Sequence, residues 1–386
     1  LSETILPCYW DGILCNSDSR IEGISLPGLR LEGVWTKQTS EVLALLGPQL
    51  RTLDLSLNHY IHGNLQDLFI EGLKHLQEVK FKENAFKGTI PSTISKFTSL
   101  QVFDISFNEL EGDRVLPSEL FQMTSLRILN LGGNPQLEST LFSLPDPAAA
   151  TNTTRVESSS TISSTKISLP LSIHLEELEI QNTAIKGTLS DIIDSWSYLK
   201  KLSIRSSGIV GTIPSTIGQM TQLEDFSFDE TEISSTIPTE MGLLTKLTSL
   251  TAEFALLKGT IPTELGQMTA LEVLWLAQAK LTGTVPTELG MLSQLETLHL
   301  GRNVGLEGPF PDSIMRHEDS ASSPYFLDVT STALTGNAPS IFCHSPRSTL
   351  RYTCSMQCDC CEEIQPDCIN TKDIEKLDYP EISSDP

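Results

Sequence analysis

Eight cysteines are the residues of this chain best equipped to do chemistry, and they sit only at its two ends. Cys8 and Cys15 lie at the start, and Cys343, Cys354, Cys358, Cys360, Cys361 and Cys368 lie towards the finish. Thiols so grouped either pair as disulfides or hold a metal. The distal spacing C-x3-C-x-C-C-x6-C is not the paired CxxC of zinc sites, and no histidine falls between Cys354 and Cys368, so no metal is assigned. An even number of cysteines at the two ends reads as disulfide-stapled caps, which implies an oxidising, extracellular or cell-surface compartment. The distal six allow many pairings, and none is preferred.

Other chemistry is sparse. The seven histidines are scattered, and there is no HExxH, no GxSxG elbow, no P-loop and no kinase catalytic loop. The many carboxylates have no enclosing pocket to raise one pKa over another. No catalytic residue and no cofactor are assigned. The net charge of -23, from 49 acidic against 26 basic residues, leaves no basic stripe for nucleic acid and disfavours acidic membrane surfaces. No apolar run reaches the roughly 18 residues that a spanning helix needs, so no membrane span is expected within these residues.

The elements that position everything else are repeats. Leu199, Leu223, Leu247, Leu271 and Leu295 each open the phrase LxxLxL at a constant step of 24 residues. In the unit beginning at Leu271, Leu274 and Leu276 alternate with Val273 and Trp275, so a strand turns the leucines inward and the other two outward. Gly283 then permits a bend, Val285-Pro286 starts a return leg, and Leu289 and Leu292 close the core. No unit can bury its leucines alone, so stability requires a stack. Inward pairs from Ile24/Leu26 to Leu327/Val329 give about twelve turns. The expected fold is an α/β solenoid, a right-handed superhelix with a parallel concave sheet and a convex side of 3-10 or short helical segments.

The bend-and-return phrase reads GTIP at Gly88, Gly211 and Gly259, GTVP at Gly283 and STIP at Ser235. With LGxL following, it resembles the plant-type leucine-rich repeat proteins, which include receptor-kinase ectodomains and polygalacturonase-inhibiting proteins. Cys8-Tyr-Trp10-Asp-Gly12-Ile-Leu-Cys15 resembles the end of that family's amino-terminal cap, written CxWxGVxC. The Cys-rich finish resembles the tails of leucine-rich repeat proteins from diatoms. The resemblance implies that the sequence starts inside a cap, as a fragment or processed product, with any membrane anchor outside these residues.

The resulting domain plan has a truncated Cys-containing cap at 1–19, a solenoid at 20–342, a Cys-rich cap at 343–368 and an acidic tail at 369–386. Residues 138–172 form a Ser/Thr-rich insertion whose composition cannot build a core. It is read as a surface loop or, by resemblance, as an island insertion, and it carries an N-glycosylation acceptor at Asn152.

After the strand, Asn58, Asn84, Asn108, Asn134 and Asn303 hold the position that the family fills with asparagine. An inward asparagine can bond backbone groups of adjacent turns. Thr183, Ser207, Thr231 and Thr332 replace it elsewhere, as do Ala255 and Ala279, where the turn is expected to be looser by about 1 kcal/mol each. On the outward side the candidate partner contacts are Phe254, Trp275, Gln278, His299, Arg302 and Phe326, with Asp328 beside them. Trp, Tyr and Arg are the usual interface anchors. The alternative is an ordinary solvated face on which Trp275 packs against Phe254 or Val273. The leading functional expectation is a non-enzymatic, receptor-like ectodomain that binds a protein, peptide or glycan on its concave face in signalling or defence. A secreted inhibitor resembling the polygalacturonase inhibitors, or an adhesive wall protein, is the alternative. Oligomeric state is open.

Overall fold

The computed structural model describes residues 7–112, 116–141, 174–314, 326–337, 349–352 and 356–357. Asn152 and the six distal cysteines lie outside the described residues. Cys8 and Cys15 form a disulfide.

Two compact units, Leu1–Ile233 and Ser234–Pro386, are each built from the same repeat. In the first, Ile13–Cys15 pairs antiparallel with Ile21–Ser25. Parallel strands then follow in chain order at Thr52–Asp54, Glu78–Lys80, Val102–Asp104, Ile128–Asn130, Glu177–Glu179, Lys201–Ser203 and Asp225–Ser227. In the second, the parallel strands are Ser249–Thr251, Val273–Trp275, Thr297–His299, Phe326–Asp328 and Thr349–Arg351. Each strand is three residues long because only its central residue is needed in the core: Leu202, Leu250, Leu274 and Leu298 are all buried, with their strand neighbours turned outward.

The bend-and-return phrase builds a second layer. Short flanking sheets form at Glu32–Trp35, Tyr60–Asn64, Ala85–Gly88 and Glu109–Leu110, and again at Glu138–Thr140, Ala184–Thr188, Gly208–Gly211 and Glu232–Ile233. The second unit repeats this at Thr282–Gly283, Gly305–Pro309, Ala333–Asn337 and Met356–Gln357. In the first unit the return legs Lys37–Ala44 and Leu189–Ser195 are short α-helices capped by Thr36 and Thr188. In the Ser234–Pro386 unit the return legs Thr239–Leu243, Thr263–Gln267 and Thr287–Met291 are 3-10 turns entered through Pro238, Pro262 and Pro286, whose fixed φ suits the entry and whose missing N–H is not needed there. These turns lie close together because of the glycine in LGxL. A Cβ on Gly266 would stand 2.3 Å from the Glu288 carbonyl oxygen, and one on Gly242 would stand 2.4 Å from that of Glu264.

Two boundaries differ from the sequence reading. Glu138–Thr140, placed at the start of the insertion, pairs with Ala184–Lys186. Ile128–Asn130 pairs directly with Glu177–Glu179, so neither sheet is interrupted here. Thr349–Arg351, inside the stretch assigned to the distal cap, pairs with Phe326–Asp328 and adds a further turn of repeat.

The asparagine positions carry the bonds between turns. The Asn108 amide donates to Phe81 O of the preceding turn and to Ile105 O of its own, while its carbonyl accepts from Phe86 N–H at 2.9 Å. Asn58, Asn84 and Asn134 likewise donate to Leu26 O, Leu55 O and Ile105 O of the turn before, and Asn303 to Leu276 O. Thr183, Ser207, Thr231 and Thr332 donate three residues back, to Ile180, Ile204, Phe228 and Val329 carbonyls at 2.6–2.7 Å, and Thr183 also accepts from Ile185 N–H at 3.4 Å. The shorter hydroxyl thus supplies the local half of the asparagine's work.

The expectation for the alanine turns holds different outcomes at its two positions. At Ala255 the Ala252 carbonyl is met by Ala255 N–H at 3.4 Å, a long bond. Ala279 is not loosened, because Asn303 of the following turn accepts from both Ala279 N–H and Leu281 N–H at 3.0 Å. Replacing Asn108 by Ala removes bonds between turns as well as within one, whereas Thr231→Val removes a local bond. Denaturant unfolding is expected to show a loss of about 2–3 kcal/mol for the first and about 1 kcal/mol for the second; equal losses would show that the contacts between turns contribute nothing.

Candidate functional site

The residue before each ladder position holds a left-handed backbone. Leu57, Glu83, Phe107, Asn182, Ser206 and Glu230 in the first unit, and Phe254, Gln278, Arg302 and Ser331 in the second, have φ between 45° and 62°. A side chain there costs about 1 kcal/mol or more. The conformation persists because it aims the N–H at the next turn: Gln278 N–H reaches Gly301 O at 2.9 Å and Arg302 N–H reaches Thr330 O at 2.7 Å. The same geometry sets Phe254, Gln278 and Arg302 in equivalent positions on consecutive turns, at the rim of the open sheet face. Phe254 is exposed, and the Arg302 guanidinium donates to the Gln278 side-chain oxygen at 3.2 Å. These periodic left-handed positions were hidden from sequence reasoning, because glycine marks only Gly28 and Gly133 among them.

Strand register places the rest of the site. Thr251, Trp275, His299, Asp328 and Arg351 are direct partners on five adjacent strands and form one row across the face. The Trp275 and His299 rings are 4.9 Å apart, and Phe326 meets His299 edge-on at 5.9 Å. Trp275 and Phe326 come within 6.4 Å of each other in a nearly parallel arrangement. His299 is thereby roofed by two aromatic rings. Its Nε2 lies 3.5 Å from the Asp328 carboxylate, which accepts from the Thr330 N–H and hydroxyl at 2.9 and 2.7 Å. Arg351 stands 3.8 Å from the same carboxylate and 6.0 Å from the Phe326 ring centre. Only glycine fits beneath, since a Cβ on Gly301 would approach Asp328 Oδ1 to 2.8 Å.

The structure therefore brings together all six outward candidates but corrects the role of one. His299, expected as an exposed partner contact, is fully buried, as is Asp328. The alternation of a strand does turn both outward, but the neighbouring rings close over them. Trp275 and Phe326 remain partly exposed. The Trp275 indole N–H is buried and has no hydrogen-bond acceptor among the described residues. Arg351 is the contributor that sequence reasoning missed; the signal was Leu350 flanked by Thr349 and Arg351, the same inward-outward pattern inside the Cys-rich segment.

Burial pulls the His299 pKa down to about 4, against the opposing pull of Asp328 and with help from Arg351 and Arg302. The imidazole is neutral at pH 7, so the contact with Asp328 is not a full ion pair. In the first unit the open face has a different character. Lys201 pairs with Glu179 and Arg205 with Asp229, each at 3.1 Å, so much of its charge is matched internally.

Repeats, register and turn chemistry define a leucine-rich repeat solenoid, and the comparisons agree. The family described as a leucine-rich repeat region matches residues 155–383, and the chain belongs to it. Among its relatives, the receptor protein-tyrosine kinase CEPR1 of Arabidopsis thaliana is 31% identical over 139 residues, covering 36% of this chain and 14% of that protein. Receptor-like protein 1 of the same plant is 32% identical over 136 residues, covering 33% of this chain and 12% of its own length. The matches thus span a small part of these relatives. Among solved structures, the plant peptide hormone receptor RGFR1, in complex with RGF2, superposes with a TM-score of 0.69 at 26% identity, over 91% of this chain and 53% of that one. The Arabidopsis receptor kinase HAESA, solved with the peptide hormone IDA and the co-receptor SERK1, gives a TM-score of 0.72 over 92% of this chain and 54% of that one. At 24% identity the HAESA likeness speaks for the fold alone.

The depressed His299 pKa makes a signed prediction. Between about pH 6.5 and 4 the unfolded chain binds a proton that the folded chain refuses, so this group's contribution falls as the pH drops through that window. Above pH 6.5 it adds no dependence. The difference in unfolding free energy between wild type and His299→Gln is expected to shift by on the order of 3 kcal/mol from pH 7 to pH 4. A difference that stays constant across the window would show that His299 titrates normally.

Proposed function

We propose that this chain is a non-enzymatic, extracellular, receptor-like recognition module that binds a peptide on the open face of the Ser234–Pro386 unit. The observation that carries this reading is the row built on Trp275, His299 and Asp328. Its upper surface offers two partly exposed aromatic rings, with Phe254, Gln278, Arg302 and Arg351 around them. Aromatic and arginine side chains supply large contact area at low entropic cost. An apolar peptide side chain would seat against Trp275 and Phe326, and the flanking peptide carbonyls or carboxylates would meet Arg302 and Gln278.

The likeness to a receptor solved with a peptide hormone supports the ligand class. A hydrolytic reading of the His299–Asp328 pair is disfavoured, since both side chains are only 1% exposed and a substrate cannot reach them. Their role is to support the rings. Cys8–Cys15 and the likeness to receptor ectodomains favour the cell exterior, and no helix among the described residues is long and apolar enough to cross a membrane.

Peptides selected from a random display library against the whole chain test this reading. Phe254→Ala and Arg302→Ala are expected to weaken the selected peptides by about tenfold or more each while leaving thermal unfolding nearly unchanged. Trp275→Ala is expected to abolish binding and also to lower stability, because it uncovers His299. Unaltered affinity in all three variants would move the site elsewhere.

A further inference from the structure

The return legs of the Ser234–Pro386 unit enclose a second concave feature, away from the aromatic row. It is an open cleft of about 880 Å³. Its base is apolar, formed by Ile261, Val285 and Phe310, which are 2–3% exposed, together with Pro286 and Pro311. Above that base stand Thr260, Thr263, Thr284 and Thr287, all exposed. Pro309, Glu288, Asp312, Gly336 and Asn337 complete the lining, and no lysine or arginine contributes to it among the described residues.

Three properties of this cleft select its ligand. First, its polar groups are mainly hydroxyls and carboxylates: the Thr287 hydroxyl donates to the Glu288 carboxylate at 3.2 Å, and the Thr263 hydroxyl donates likewise to Glu264 beside the cleft. Such pairs exchange hydrogen bonds with hydroxyls and repel anions. Second, the two other lining threonines are held in place. The methyl groups of Thr260 and Thr284 lie over Gly283 and Gly308 of the next turn, where a Cβ would stand 3.0 and 3.1 Å away. A β-branched side chain whose methyl is so placed has little rotamer freedom left to lose on binding. Third, the lining recurs once per turn, at a strand spacing of about 4.8 Å, which is close to the length of one sugar ring in an extended chain. The backbone alongside is already paired, Gly305–Pro309 with Ala333–Asn337, so an added peptide strand has no edge to join there.

We propose that this cleft binds a neutral, linear oligosaccharide, with successive rings lying across the exposed Pro309 ring and the threonine methyl groups above the buried Val285–Pro286–Phe310 base, and their hydroxyls bonded to the threonine hydroxyls and the Glu288 and Asp312 carboxylates. An apolar base under the C–H faces of sugar rings, with hydroxyl-bonding groups at the sides, is the chemistry that recognises a polyol in water. An acidic polysaccharide is excluded by Glu288 and Asp312. The site is separate from the open-face row and does not depend on it.

The test is calorimetric titration of the whole chain with cellohexaose, laminarihexaose and mannohexaose, with hexagalacturonate as the acidic probe. At least one neutral hexasaccharide is expected to bind, and hexagalacturonate is not. The double variant Thr284→Val, Thr287→Val keeps the β-branched shape and is expected to lose about tenfold or more in affinity, as two hydrogen-bonding groups disappear. The matching serine double variant restores the hydroxyls and is expected to recover binding, which separates a lost contact from a lost fold. Arg302→Ala is expected to leave sugar binding intact, so failure of this site and failure of the peptide site are distinguishable. The proposal is overturned if none of the three neutral probes binds, if hexagalacturonate binds as well as they do, or if the valine pair binds like wild type.

Discussion

The constraint on which everything else rests is that one turn of this chain cannot satisfy itself, either in its leucines or in its backbone. Leu274 is buried only because the turns before and after it press on either side, and Gln278 can hold its left-handed conformation only because Gly301 of the next turn accepts its N–H. Asn303 reaches back to Leu276 O for the same reason. Apolar burial and backbone bonding thus demand the same register.

A fixed register turns single outward residues into rows. His299 is a neighbour of Trp275 and Asp328 because strand pairing aligns them, although they are 24 and 29 residues away in sequence. The consequences differ between the two units. Where adjoining rows carry opposite charge, as with Lys201 and Glu179, the face largely matches its own charge. Where it gathers rings over a neutral imidazole, the face keeps apolar surface available to a partner. A burial penalty on His299 accompanies that surface, held in place by Phe326 above and Gly301 below.

The flank obeys the same logic with different residues. In the Ser234–Pro386 unit proline opens the return legs and the glycine that follows lets successive legs approach, so a hydroxyl-bearing lining is repeated at the spacing of the turns. One repeat therefore generates two surfaces of unlike chemistry, aromatic and arginine-rich on the sheet face, hydroxyl- and carboxylate-rich on the return legs.

What the sequence determined by itself was whatever a single turn contains: the 24-residue step, the inward leucines, the bend at Gly283 and the asparagine positions. These are local, because side-chain direction alternates along a strand and turn chemistry is read from adjacent residues. What only the tertiary structure decided were contacts between turns. The outward direction of His299 was legible, but its burial was not, since the rings that cover it come from two other strands. Arg351 joined the row only when its strand paired with Phe326–Asp328. Gly266 looked like part of a motif, and its need became visible only beside the Glu288 carbonyl. The physical reason is the same in each case: exposure and close approach are properties of neighbouring turns, and a sequence read one turn at a time does not contain them.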